Sequence, residues 1–240
     1  MARYVNRGVH GQTVETIAKR ILGGTLAEGE TLDIAALQVE LDVSLTVVRE
    51  TLKVLAAKGM VDARQKRGTF VRPRSDWNLL DGDVLRWQFA SSASDRMIDQ
   101  LQEVRGIVEP ASARLAAERR DDADLAALES ALTAMEAAGD DPASQIAADL
   151  NFHRALLAAT HNELLQRMEV MLEIGLAERD RLVHYSQHHD DPIPSHRAVL
   201  DAIRAGDPAA AENAMGGLLD QAAHDLHKAR GGPGAKGQKR

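Results

Sequence analysis

The chain has 240 residues, no cysteine and a formal net charge of −7, with 44% hydrophobic and 3% aromatic residues. Without cysteine there is no disulfide framework, thiolate metal site or cysteine nucleophile, which agrees with a reducing compartment. The length predicts two domains. Residues 1–15 lack the apolar stretch of a signal peptide, and no segment approaches the roughly 18 apolar residues of a membrane span, so a soluble cytoplasmic protein is expected.

The net charge hides an asymmetry. Residues 1–75 hold 12 Lys/Arg against 8 Asp/Glu, whereas residues 76–229 hold 13 against 28. A basic head on an acidic body turns the head toward a polyanion.

In residues 13–22 (TVETIAKRIL), Val14, Ile17, Ala18 and Ile21 recur at helical spacing until Gly23 and Gly24 stop the run. Residues 34–41 form a second, short helix with Asp33 as N-cap. After a tight turn at 42–44, Ser44 caps a third helix over 45–59. Its Val48, Leu52 and Leu55 face inward, while Thr46, Arg49, Glu50 and Lys53 face out. Residues 60–63 and 69–73 then read as two short strands around the turn Gln65-Lys66-Arg67-Gly68.

This order predicts a winged helix-turn-helix over residues 1–74, with the third helix in the major groove of double-stranded operator DNA. The Arg49 fork matches guanine O6 and N7, and Ser44, Thr46 and Lys53 stand beside it. The wing residues Gln65, Lys66, Arg67 and Gly68 are expected at phosphates or the minor groove, adding affinity and salt dependence. A three-helix protein-binding module is the alternative.

Residues 13–73 resemble the DNA-binding domain of the GntR family. They carry its Gly29, Val43-Ser44, Val48-Arg49-Glu50, Leu52, Leu55, Gly59, Val61 and the closing Arg67-Gly68-Thr69-Phe70-Val71. The family usually has an arginine directly after the Ser/Thr of the turn, and often a Glu-Arg pair early in helix two. This chain has Leu45 and Ala35 there, so its operator cannot be borrowed from other members.

Residues 75–93 read as a linker containing both tryptophans, Trp77 and Trp87, expected to pack one domain on the other. From residue 94 to 229 the pattern is helical, with breaks at 139–142, 161–162, 188–194 and 206–208. About six helices would form an antiparallel bundle, with ligand sites between facing helices. The glycine-rich, basic tail at 230–240 is expected to be disordered. The expected fold is therefore mainly α, a winged helix-turn-helix with a small β wing followed by an all-α bundle.

Polar residues on inward faces locate a site in this bundle. Asp149 and His153 are one turn apart, on the arc of Leu156 and Leu157; His196 shares a side with Val199, Leu200 and Ile203. Arg105 borders the arc of Leu101 and Val108, where it would hold a ligand carboxylate or pair with Glu109 at i+4. Asp149, His153 and His196 offer ligands for one divalent metal ion such as zinc, nickel or manganese, or form a hydrogen-bonded group without one. His184, His188 and His189 are expected to be solvated. A metal-assisted enzyme acting on a small hydroxy acid through the same three residues is the rival function, and a constitutive architectural DNA binder is the third. No nucleophile elbow, P-loop or H-E-x-x-H motif supports an enzyme, and the G-x-G-x-x-G at 232–237 lies in the tail.

This half is similar to the effector (FCD) domain of the FadR subfamily, through residues 105–110, Asp149 to His153, His196 before 198–203, and Gly206-Asp207. In metal-binding members the aspartate and three histidines are ligands; here Leu218 stands at the last position. The resemblance implies a homodimeric, metabolite-responsive repressor. Residues 72–87 with 104–110 look most like repressors of sugar-acid operons, those for galactonate among them, with Arg105, Asp149, His153 and His196 taking a carboxylated effector such as an aldonate.

Overall fold

The computed structural model describes residues 8–91, 94–184 and 190–231. The expectations for His188, His189 and the tail from residue 232 fall outside them, as does the side chain of His184. The chain divides into two compact units, residues 1–95 and 96–240.

The first unit contains α1 (Val9–Leu22), α2 (Ile34–Glu40), α3 (Leu45–Ala57), β1 (Val61–Arg64), β2 (Gly68–Val71), a single 3-10 turn (Arg74–Asp76) and α4 (Gly82–Phe89). Asp33 accepts hydrogen bonds from the Ala35 and Ala36 amides, and Ser44 accepts one from Val47, so both expected N-caps are in place. The strands pair antiparallel, Val61 opposite Val71 and Arg64 opposite Gly68. Helix α1 starts four residues before the apolar run, where the Thr13 hydroxyl donates to the Val9 carbonyl at 2.7 Å.

Val14, Ile17, Val48, Leu52 and Leu55 form the first core together with Trp77, Val84 and Trp87. The segment expected to be a linker, 75–93, is therefore largely part of this unit, and both tryptophans are buried inside it. Lys58, at the end of α3, donates to Asp81 at 2.7 Å and Asp83 at 2.6 Å, and so clamps α3 to the start of α4. Gly59 makes the intervening turn with φ +75°; a Cβ there would stand 2.4 Å from the Asp76 carbonyl oxygen.

The second unit is all-helical: α5 (Ser94–Arg119), α6 (Asp122–Ala137), α7 (Pro142–Ala159), α8 (Glu163–Arg167), α9 (Glu169–His184), α10 (Ile193–Ala205) and α11 (Pro208–Gly231). Among the described residues this makes seven helices, where about six are expected. An unforeseen break precedes α6, where Asp121 and Asp124 form a reciprocal capping box, and a second falls at Met168 between α8 and α9. Helix α6 packs on α7 and α10, α11 packs on α10, and α9 packs on both α7 and α11. Leu128, Leu132, Phe152, Leu156, Leu200 and Met215 fill the core between them. No helix of the described residues is long and apolar enough to cross a membrane.

Candidate DNA interface and effector site

On α3, Val48, Thr51, Leu52 and Leu55 are buried, which leaves Leu45, Thr46, Arg49, Glu50 and Lys53 exposed. The Ser44 hydroxyl is engaged as the cap, at 3.3 Å from the Val47 amide. Lys53 donates to Glu50 at 2.7 Å, and this pairing holds the Glu50 carboxyl below its usual range. Arg49 makes no hydrogen bond or ion pair among the described residues, so its fork is open to a base edge.

The wing residues divide into two kinds. Gln65 and Lys66 are exposed at the tip, where Lys66 has φ +70°. Arg67 folds back instead: it donates to the Gly29 carbonyl at 2.7 Å, and its guanidinium lies 3.7 Å from the centroid of the Phe70 ring. Gly29 in turn donates its amide to the Val71 carbonyl at 2.8 Å. Arg67 thus braces the hairpin against the loop before α2, and Gly68, at φ +80°, begins the return strand.

In the second unit, α5, α7 and α10 bring all four expected residues into one connected group. Arg105 is fully buried, with Nε 2.7 Å from Glu109 Oε1 and Nη2 3.3 Å from Oε2; of the two roles open to it, the structure shows the ion pair. Its Nη2 also lies 3.4 Å from His153 Nε2. The other ring nitrogen, Nδ1, is 3.0 Å from Glu109 Oε2, and Nε2 is 3.7 Å from Asp149 Oδ2. His196 Nδ1 is held 2.8 Å from the Pro192 carbonyl, while its Nε2 stands 3.1 Å from Asp149 Oδ1.

Burial alone would raise both carboxyls, but their neighbours outweigh it. Arg105 and His153 hold Glu109 down to about 2. The imidazoles of His153 and His196 and the charge of Arg179 hold Asp149 well below the usual carboxylate range.

Asp149 and His196 also line a cavity of about 60 Å³, with Gln145, Ser195, Gln221 and Arg179 among the other polar walls. Arg105 and His153 stand behind this wall. Arg179, on α9, is 9% exposed and is the only arginine or lysine among the described residues lining the cavity. Sequence reasoning passed over it, because it falls in the charged run 178–181, which reads as a solvated face. Glu109 stands in the motif at 105–110, where its spacing marks it as a partner for Arg105; its contact with His153 on α7 depends on the packing of the two helices. Leu218, at the position of the family's last metal ligand, is on the cavity wall.

The group tests well as a metal site. One ligand atom each from Asp149, His153 and His196 lies within 4.8 Å of the others. Asp149 Oδ2, His196 Nε2 and His153 Nδ1 are buried without an aligned hydrogen-bond partner, although Nδ1 stands 3.0 Å from Glu109 Oε2. Each imidazole has its Nδ1 against an oxygen, which orients ligating histidines in general. A second group, Asp121, Asp124 and His161, is largely exposed and already serves to cap α6.

Comparison with known proteins connects the two units. The model of the bacterial regulatory proteins, gntR family, matches residues 10–71, and the FCD domain matches residues 100–221. The chain belongs to the GntR family. It is 38% identical over 208 residues to the galactonate operon transcriptional repressor of Escherichia coli K12, covering 84% of this chain and 89% of the relative. It is 32% identical over 203 residues to the HTH-type transcriptional regulator LutR of Bacillus subtilis 168, covering 81% of this chain and 90% of that one. The solved structure of Lar, described as controlling expression of the Listeria monocytogenes agr system, shares the fold at 16% identity and a TM-score of 0.61, over 92% of this chain and 98% of that one. This GntR-family chain is a DNA-binding transcriptional regulator with an FCD domain and not an enzyme, which sets aside the rival reading of Asp149, His153 and His196 as a catalytic centre.

Proposed function

We propose that this regulator is a cytoplasmic repressor of a sugar-acid catabolic operon, acting as a homodimer on a two-fold-related operator and released by a carboxylated effector such as an aldonate. The observation that carries this reading is the buried Asp149–His153–His196 group, which opens through Asp149 and His196 onto a cavity with Arg179 on its wall. A bundle core needs no such group for folding, because buried polar atoms without partners are costly. Likeness to the galactonate operon repressor supports the choice of acid.

Asp149, His153 and His196 would hold one zinc, nickel or manganese ion. The metal would supply a Lewis-acidic position for an effector oxygen. Arg179 on the cavity wall, together with the metal, would offset Asp149, Asp190 and Asp225 and receive an effector carboxylate, while Arg105, neutralised by Glu109, would brace His153 from behind. Release follows if the acid binds one arrangement of the paired DNA-binding units better than another.

A thermal-shift screen of the full chain against galactonate and other sugar acids, with and without each metal, tests the reading. A ligand at 100 times its dissociation constant stabilises by about 2.7 kcal/mol. The stabilising acid should also release operator DNA in a mobility shift. If none of the acids stabilises the protein under any metal condition, the sugar-acid assignment fails.

A further inference from the structure

Helix α3 opens with a side chain at odds with its surroundings. Leu45, its first residue, is 39% exposed on a face otherwise made of Thr46, Arg49, Glu50 and Lys53. The core does not call for it, since Val48, Leu52 and Leu55 supply the buried stripe of the helix. The Ser44 cap fixes where the helix begins, and therefore where Leu45 sits, independently of any contact the leucine makes. Leu45 precedes Arg49 by one turn, so the two share a stripe. Their axial separation of roughly 6 Å corresponds to about two base steps of ~3.4 Å.

Among the base edges of the major groove, the C5-methyl of thymine is the apolar feature; the others are hydrogen-bond donors and acceptors. A donor or acceptor covered by leucine would lose its water and gain no partner. We propose that Leu45 reads a thymine methyl, one or two base pairs from the base read by Arg49, so that each half-site of the operator carries a thymine there. At the position where the family usually presents an arginine, this chain replaces a hydrogen-bonding fork by an apolar contact. The inference rests on α3 being the recognition helix.

The test begins with selection of operator duplexes from a random pool by the full-length protein. Each thymine of the selected half-site is then replaced by deoxyuridine, which removes only the methyl. At one thymine per half-site the wild type should lose about four-fold in affinity, the equivalent of one buried methyl at about 0.8 kcal/mol. Leu45→Ala, whose melting should match wild type because the side chain is exposed, should bind thymine and uracil duplexes equally at that position. Thr46→Ser removes the neighbouring methyl and should keep the full uracil penalty. In a second selection Leu45→Arg should move the preference there to guanine. The proposal is overturned if no uracil replacement weakens wild-type binding, or if Leu45→Ala retains the penalty. If Leu45→Ala alone selects the wild-type motif, Leu45 is not a reader; if Arg49→Ala selects it as well, α3 itself has been misassigned.

Discussion

His153 Nδ1 lies 3.0 Å from Glu109 Oε2, a contact between α7 and α5 that decides which ring nitrogen faces the rest of the site. Glu109 cannot turn away, because it is fully buried and carries Arg105 on the same carboxylate. His153 Nε2 is thereby directed at Asp149. The Pro192 carbonyl acts in the same way on His196, so two imidazoles from different helices present Nε2 to one carboxylate. Such outer partners orient ligating histidines and raise their basicity.

Metal binding is the first consequence. Chelator-treated protein titrated calorimetrically with zinc, nickel or manganese should take up one ion per chain, and uptake should be lost in Asp149→Asn and His196→Ala. Uptake should weaken as the pH falls, since a ligating imidazole must be neutral. Uptake that persists in both variants would place the ion elsewhere.

The acid limb of stability should report Glu109. Its carboxyl titrates at about 2 in the folded protein against a reference of 4.5. A depressed carboxyl contributes stability that is fully present above the unfolded value and is lost as pH falls through the folded one. The urea midpoint should therefore drop between about pH 4.5 and 2. Glu109→Gln should be less stable at pH 7 by about 3 kcal/mol, because it leaves the Arg105 cation buried without its counter-charge, and it should flatten that acid slope. Parallel pH profiles for wild type and variant would assign the slope to other groups.

The two arginines of the proposed effector site should separate in experiment. Arg105 is bound to Glu109 and enclosed, whereas Arg179 lines the cavity. Arg105→Ala should lower the melting temperature together with the effector response. Arg179→Gln should raise the acid concentration needed for operator release by about ten-fold or more, the loss of one charged hydrogen bond of about 1.5 kcal/mol or above, with a smaller change in melting. An unchanged dose-response in Arg179→Gln would remove it from the site.

How far the sequence could be read depended on whether the signal was local. Asp33 and Ser44 cap their helices through side chains two and three residues away, so the starts of α2 and α3 were legible. Asp149, His153 and His196 could be placed because a polar residue on an apolar arc stands out at helical spacing. The break before α6 was missed because its capping box uses two aspartates in a charged run without glycine or proline. The direction in which Trp77 and Trp87 pack was not local at all: it follows from Lys58 meeting Asp81 and Asp83 more than twenty residues later. Arg179 was hidden for a related reason, since only the packing of α9 on α7 and α11 turns part of that run inward.

The wing provides the last test, because its two adjacent cations have different surroundings. Sequence alone gives Lys66 and Arg67 one role, weakening binding to all DNA sequences alike when lost. The structure leaves Lys66 at the tip, while Arg67 is bound to the Gly29 carbonyl and stacked on Phe70. Lys66→Ala should therefore lower affinity about equally for operator and random duplexes and reduce the salt slope by about 1, with no change in melting. Arg67→Ala should remove a charge-assisted hydrogen bond and a cation–π contact, costing the first unit about 1–2 kcal/mol. It should also weaken operator binding beyond its share of the salt slope, because the loosened hairpin is no longer held toward the DNA. Arg67→Lys keeps the charge but lacks the planar fork, so it should restore the slope and not the stability. If Arg67→Ala melts like wild type and differs from Lys66→Ala in neither measurement, the brace to Gly29 has no energetic weight and both residues are phosphate contacts alone.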